Sequence, residues 1–345
     1  MVYPDSSHIR RGLLSRRHEG STYVIMMIHR TLLLTIAVAL LIGCSSATLS
    51  PTPTIAPAVP SPSPDAAPPV LTPVAPAPSQ SPAAPETLGP VETILAYYNA
   101  ISQHEYDQAY ALWADQGAAS GQTLEQFQQG YADTAGINIQ LDQPNTEGDG
   151  VNVPIRLIAV QNLANNEQRA QYFTGSYHLT PSSTSTTGWE IASASIAEGG
   201  SSAPIENEVN AVRFVLNTYY TAINNRNYPL AYTLWDTLGT ASGQSYAEFA
   251  QGYAATTQVS IELGEPTVEG AAGSLYADVP IVIWANSSDQ GWQVFCGSYA
   301  LRRANVPPFD QFGWHLDSAT INQIASAEPS REQISSWLDN GCSAS

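Results

Sequence analysis

Apolar residues recur at helical spacing from Val91 to Gln103 and again from Tyr106 to Trp113, and the pattern predicts two helices there. The same period returns over Val209 to Asn225 and Tyr228 to Trp235. A third helix is predicted to open at Thr123 and, in the second half, at Ser245. Thr123 with Gln126 and Ser245 with Glu248 have the three-residue spacing of capping boxes. The period then changes to alternation, which predicts strands over Ile137 to Leu141, Val151 to Val160, Gln168 to Leu179 and Trp189 to Ile196. Their counterparts are Val259 to Leu263, Leu275 to Trp284, Gly291 to Leu301 and Trp314 to Ile321, with Gly and Pro clusters between them.

The recurrence is an internal repeat. Shifting the chain by 122 residues aligns Tyr97 to Pro144 with Tyr219 to Pro266 without a gap, and 23 of those 48 positions are identical. Tyr97, Tyr98, Tyr106, Tyr110 and Trp113 match Tyr219, Tyr220, Tyr228, Tyr232 and Trp235. The alignment resumes at Gly175-Ser176-Tyr177 with Gly297-Ser298-Tyr299, and Trp189 matches Trp314. Two tandem domains follow, over 91–202 and 206–325, each long enough to fold alone, with a C-terminal helix and tail over 326–345.

Three short helices followed by an antiparallel sheet, with Tyr-Tyr-x-Ala-Ile and then Tyr-x-x-Ala-Tyr-x-Leu-Trp in the helices, resembles the nuclear-transport-factor-2-like (NTF2-like, SnoaL-like or cystatin-like cone) superfamily. The resemblance implies an α+β fold: two tandem NTF2-like domains, each with three N-terminal helices packed on a curved antiparallel sheet. It also implies a conical pocket, which in that superfamily hosts a ligand, isomerase or dehydratase chemistry, or nothing, so fold alone leaves the function open.

The N-terminal 43 residues read as an address. A basic pair at His29 and Arg30, an apolar run from Leu32 to Ile42 and Leu41-Ile42-Gly43-Cys44 resemble the signal peptide and lipobox of bacterial lipoproteins. The resemblance implies cleavage before Cys44, acylation of its thiol and a chain held on the extracytoplasmic side of a membrane. Translation is expected to start at Met26 or Met27. From Cys44 to Pro90 the chain is expected to be a disordered stalk, with 14 prolines between Pro51 and Pro90. At about 3.1 Å per residue in polyproline II it would reach roughly 140 Å.

Charge narrows the partners. The chain has 30 acids against 12 basic residues, all arginine, and a formal net charge of -18. Five arginines and two acids precede Cys44, which leaves 7 against 28 and a charge of -21 beyond it. Nucleic acid, whose phosphates demand clustered Lys and Arg, is excluded as a partner on this count.

No spacing compels a chemistry. There is no set of Cys or His at metal-ligand spacing, no Gly-rich phosphate loop and no Gly-x-Ser-x-Gly, so neither metal nor cofactor is expected. The candidate pocket-lining residues are the repeated tyrosines Tyr98, Tyr220, Tyr131 and Tyr253, together with the unrepeated His178, His315 and Asp317. An isomerase-like site would need a carboxylate or imidazole base among such hydroxyl donors. Cys296 and Cys342 either pair, closing a loop of 46 residues, or stand as two free thiols. A capping box at Ser330 and Gln333 predicts a helix to about Leu338 that could bring Cys342 back.

The leading expectation is a non-catalytic, membrane-anchored lipoprotein that binds a small molecule or a protein. Two rivals stand beside it: an envelope isomerase, dehydratase or hydrolase using one cone, with His178 or Asp317 and His315 as acid or base, and a structural spacer or assembly unit whose cones are filled by side chains.

Overall fold

The computed structural model describes residues 89–202 and 205–342. The leader, Cys44 and the proline-rich stalk lie outside the described residues. Among the described residues, no helix is long and apolar enough to cross a membrane.

The first unit runs through helices α1 (Pro90–Ser102), α2 (Tyr106–Ala111) and α3 (Leu124–Tyr131) into strands β1 (Thr134–Leu141), β2 (Asn145–Glu147), β3 (Gly150–Asn162), β4 (Gln168–Pro181) and β5 (Trp189–Glu198). The second repeats the order with α4 (Glu208–Asn224), α5 (Tyr228–Thr233), α6 (Tyr246–Gly252), β6 (Thr256–Leu263), β7 (Thr267–Ala271), β8 (Ser274–Ser287), β9 (Gly291–Ala304) and β10 (His315–Ala325), and α7 (Arg331–Asn340) follows. Both units are α+β, with three helices ahead of one antiparallel sheet.

Local chemistry sets the helix ends. Pro90 occupies the first turn of α1, where no amide is lost, and the Glu92 carboxylate accepts the Gly89 N–H at 3.0 Å. The capping boxes at Thr123, Ser245 and Ser330 all form. In α1 the buried residues Ile94, Tyr97, Tyr98 and Ile101 fall at i, i+3, i+4 and i+7, and Leu216, Tyr219, Tyr220 and Ile223 do the same in α4. That stripe lays each first helix along the inner face of its sheet.

The sheets order as β1-β3-β4-β5 and β10-β9-β8-β6, with β2 and β7 paired to one end of β3 and β8. These two short strands were not anticipated, because nearly all their residues are exposed and carry no alternating apolar signal. The glycine of the repeated Gly-Ser-Tyr is required by sheet geometry. A Cβ on Gly175 would lie 1.9 Å from the Ser195 carbonyl oxygen, and one on Gly297 1.8 Å from that of Thr320. Neighbouring backbones press together there, so only glycine fits.

Helix α7 packs on the outer face of the second sheet. Ile334 and Trp337 join Val282, Val294 and Cys296 in a small separate core, and a disulfide links Cys296 to Cys342.

The two units also pack on each other. The outward-facing amide of Leu141 on edge strand β1 donates to Thr233 Oγ1 of α5 at 3.2 Å, so a helix of the second unit covers an edge that would otherwise invite pairing. The loop between β9 and β10 reaches onto the first unit. Its Phe309 and Phe312 lie against Gly136, and the Gln311 side-chain oxygen accepts from the hydroxyls of Tyr172 at 2.6 Å and Ser202 at 2.5 Å.

Candidate functional site

The core of each unit holds the same aromatic set. In the first unit the hydroxyls of Tyr98 and Tyr177 are 2.7 Å apart and those of Tyr97 and Tyr131 are 2.9 Å apart. The second unit repeats this with Tyr220 and Tyr299 at 2.8 Å and Tyr219 and Tyr253 at 2.9 Å. The rings meet edge to face around Trp113 and Trp235, the favoured geometry for ring quadrupoles.

Burial pushes the phenols of Tyr97, Tyr98, Tyr177, Tyr219, Tyr220 and Tyr299 well above the ordinary range, and the neighbouring phenols add to the effect. At neutral pH they are therefore uncharged. In a hydroxyl pair one oxygen donates and the other accepts, so one O–H of each pair keeps its hydrogen for a third group. Trp113 Nε1 and Trp235 Nε1 are both buried without a hydrogen bond of good geometry, although each indole lies near enough to the oxygen of Tyr97 or Tyr219 to favour ionisation there slightly. Buried, unpaired donors of this kind cost free energy unless something meets them.

The aromatic cluster of the second unit borders a partly open cavity of about 120 Å³. Tyr219, Tyr220, Trp235, Phe249, Phe295 and Tyr299 line it, with Ala319 and Ile321 from β10 and Gln293 from β9. Tyr220 and Tyr253 line this cavity, and Tyr98 and Tyr131 hold the matching places in the first unit's aromatic cluster.

The three ionisable candidates go elsewhere. His178 lies between Tyr177 and Leu179, which are buried inward, so strand alternation turns it to the outer face. There its Nδ1 meets Asn152 Oδ1 at 2.9 Å in an open groove with Ser176, Ser193 and Ser195. His315 and Asp317 flank the inward-facing Leu316 at a register break of β10 and likewise leave the cone. Strand periodicity thus points all three side chains away from the aromatic cavity.

His315 and Asp317 do meet other charged groups, at the seam between the units. The Arg302 guanidinium pairs with Asp236 at 3.2 Å, and His315 is buried with Nε2 2.8 Å from Asn138 Nδ2 of the first unit. Burial holds the His315 imidazole below its ordinary value, against the pull of Asp236. Burial first, then Asp236, raises the Asp317 carboxyl, while Arg302 opposes. A cleft of about 510 Å³ opens beside this cluster and is lined by both units.

The seam residues Asn138, Asp236 and Arg302 escaped sequence reasoning because the repeat aligns them with Ser260, Ala114 and Thr180. One signal was legible. The repeat offset grows from 122 at Tyr299 to 125 at Trp314, and the extra residues fall in the loop that carries Phe309 and Phe312.

No family model matches this chain, and no curated protein matches it. Two solved structures are similar over a third of its length. One is a proposed dehydratase of the NTF2-like family from Streptomyces avermitilis, at 15% identity over 35% of this chain and 99% of that one, with a TM-score of 0.28. The other is a proposed aromatic ring hydroxylase from Novosphingobium aromaticivorans, at 13% identity over 36% of this chain and 92% of that one, with a TM-score of 0.26.

Proposed function

We propose that this chain is an exported lipoprotein, anchored through Cys44, whose two NTF2-like domains form a non-catalytic binding module, and that the second cone takes a small, mostly apolar ligand carrying one acceptor atom. The supporting observation is the cavity of about 120 Å³ walled by aromatic rings, with Trp235 Nε1 buried and unpartnered at its wall. An apolar cavity of roughly 150 Å³ holds benzene, so this one suits a single ring or a short branched chain. Binding rather than catalysis is the reading because His178, His315 and Asp317 all lie outside the cones.

The test uses the full-length lipidated chain in detergent, with benzaldehyde as probe and ligand-observed NMR as readout. Saturable binding is expected, and Ala319→Phe, which fills the cavity, should abolish it. Saturable binding unchanged in that variant would place the ligand elsewhere, and no binding of benzaldehyde or toluene would sink the cone reading. Cys44→Ser should release the protein from the membrane fraction; retention there would remove the anchor from the proposal.

A further inference from the structure

We propose that the cleft at the seam is a separate ligand site, built for a small carboxylate-bearing molecule with an apolar body. The inference does not rest on the cone. Its size, about 510 Å³, falls within the roughly 300–1,000 Å³ of small-molecule sites, and such sites favour the junction between domains.

Charge selects the class of ligand. In a chain with 30 acids and 12 basic residues, the walls of this cleft gather two guanidiniums, of Arg302 and Arg303, with the carboxylate of Asp236 on the lining and those of Glu208 and Asp317 behind it; His104 and the neutral His315 add ring nitrogens. The Asp236 carboxylate is already committed. One oxygen accepts from Arg302 Nη1 at 3.2 Å and the other from the Thr237 amide at 2.7 Å. A guanidinium offers five donors, so Arg302 keeps others for a second carboxylate, and planar bidentate pairing is what that group does best. Arg303 uses Nη2 on Glu208 at 2.5 Å, while its Nε is buried with no partner.

The lining also has an apolar part. Val306, Phe309 and Phe312 come from the loop that distinguishes the second unit, and Ile137 comes from β1 of the first. A charged set and an aromatic set, both from the second unit, therefore border one volume that the first unit closes with Ile137, Asn138 and His104. The basic wall groups are also not repeat features: Arg302, Arg303 and His315 align with Thr180, Pro181 and Glu190. Duplication explains the cones, but it does not explain this convergence.

Isothermal titration of the full-length chain with phenylacetate, and with phenylacetamide as the uncharged comparator, tests the site. Phenylacetate should bind saturably and the amide at least about tenfold more weakly, the scale of one charge-assisted hydrogen bond. Arg302→Gln should weaken phenylacetate by a similar factor, whereas Asp236→Asn, which frees the guanidinium, should tighten it. A variant that merely misfolds cannot tighten binding, so the opposite signs separate recognition from damage. Ala319→Phe in the cone should leave this affinity unchanged. Equal binding of acid and amide, the same direction of change in both variants, or no saturable heat at millimolar phenylacetate would overturn the proposal.

Discussion

At the scale of single residues, His315 shows how one side chain can join two units and make their union sensitive to acid. Its ring is buried, neutral and bonded to Asn138, and its folded pKa lies below the ordinary histidine value. Between that folded value and the unfolded value of about 6.5 the unfolded chain binds the extra proton, so stability falls as pH drops through this window. The slope contributed is at most about 1.4 kcal/mol per pH unit. Asp317 acts with the opposite sign, because a raised carboxyl pKa makes ionisation above about pH 4 unfavourable in the folded state. Denaturant melts across pH 5 to 7 should therefore show acid destabilisation that His315→Gln flattens, while Asp317→Asn is neutral or stabilising at pH 7. An unchanged slope in His315→Gln would remove that histidine from the account.

At the scale of elements, the C-terminal helix is the clearest case of a covalent link standing in for hydrophobic area. Helix α7 buries chiefly Ile334 and Trp337, a small contribution against the entropy of ordering ten residues. The Cys296–Cys342 bond closes a loop of 46 residues, worth about 4 kcal/mol in the chain-entropy model. Cys342→Ser should lower the stability of the second unit by that order. Hydrogen exchange should rise across α7 and the outer face of β8 and β9, leaving the first unit's amides as they were. Protection of α7 unaltered by the substitution would show that packing alone holds it.

At the scale of the whole molecule, the two units share a seam built from the capped edge of β1, the Asn138–His315 bond and the Phe309–Phe312 loop on the first sheet. Additivity of two independent folds is not expected across such a contact. The wild-type units should unfold together in calorimetry. Replacing Phe309 and Phe312 by alanine should split the transition in two and increase the radius of gyration measured by X-ray scattering. A single transition and an unchanged radius would mean that the linker and the remaining polar contacts suffice.

Sequence determined the elements and their duplication, because helix and strand periods, capping boxes and the recurrent Tyr, Trp and Gly positions are local properties that one chain displays twice. It also marked the repeated tyrosines as buried rings, since short helices must bury large side chains to hold a small domain. It could not place His178, whose direction depends on the register of β4 against Tyr177 and Leu179, nor decide between a disulfide and two free thiols. Nothing in the sequence marked Arg302, Asp236 and Asn138, because the repeat supplies them no partners: Arg302 meets Asp236 only when the second unit folds, and Asn138 reaches His315, 177 positions away, only when the two units dock. Those decisions belong to tertiary structure for one physical reason: they depend on which surfaces are left over once each unit has buried its own core.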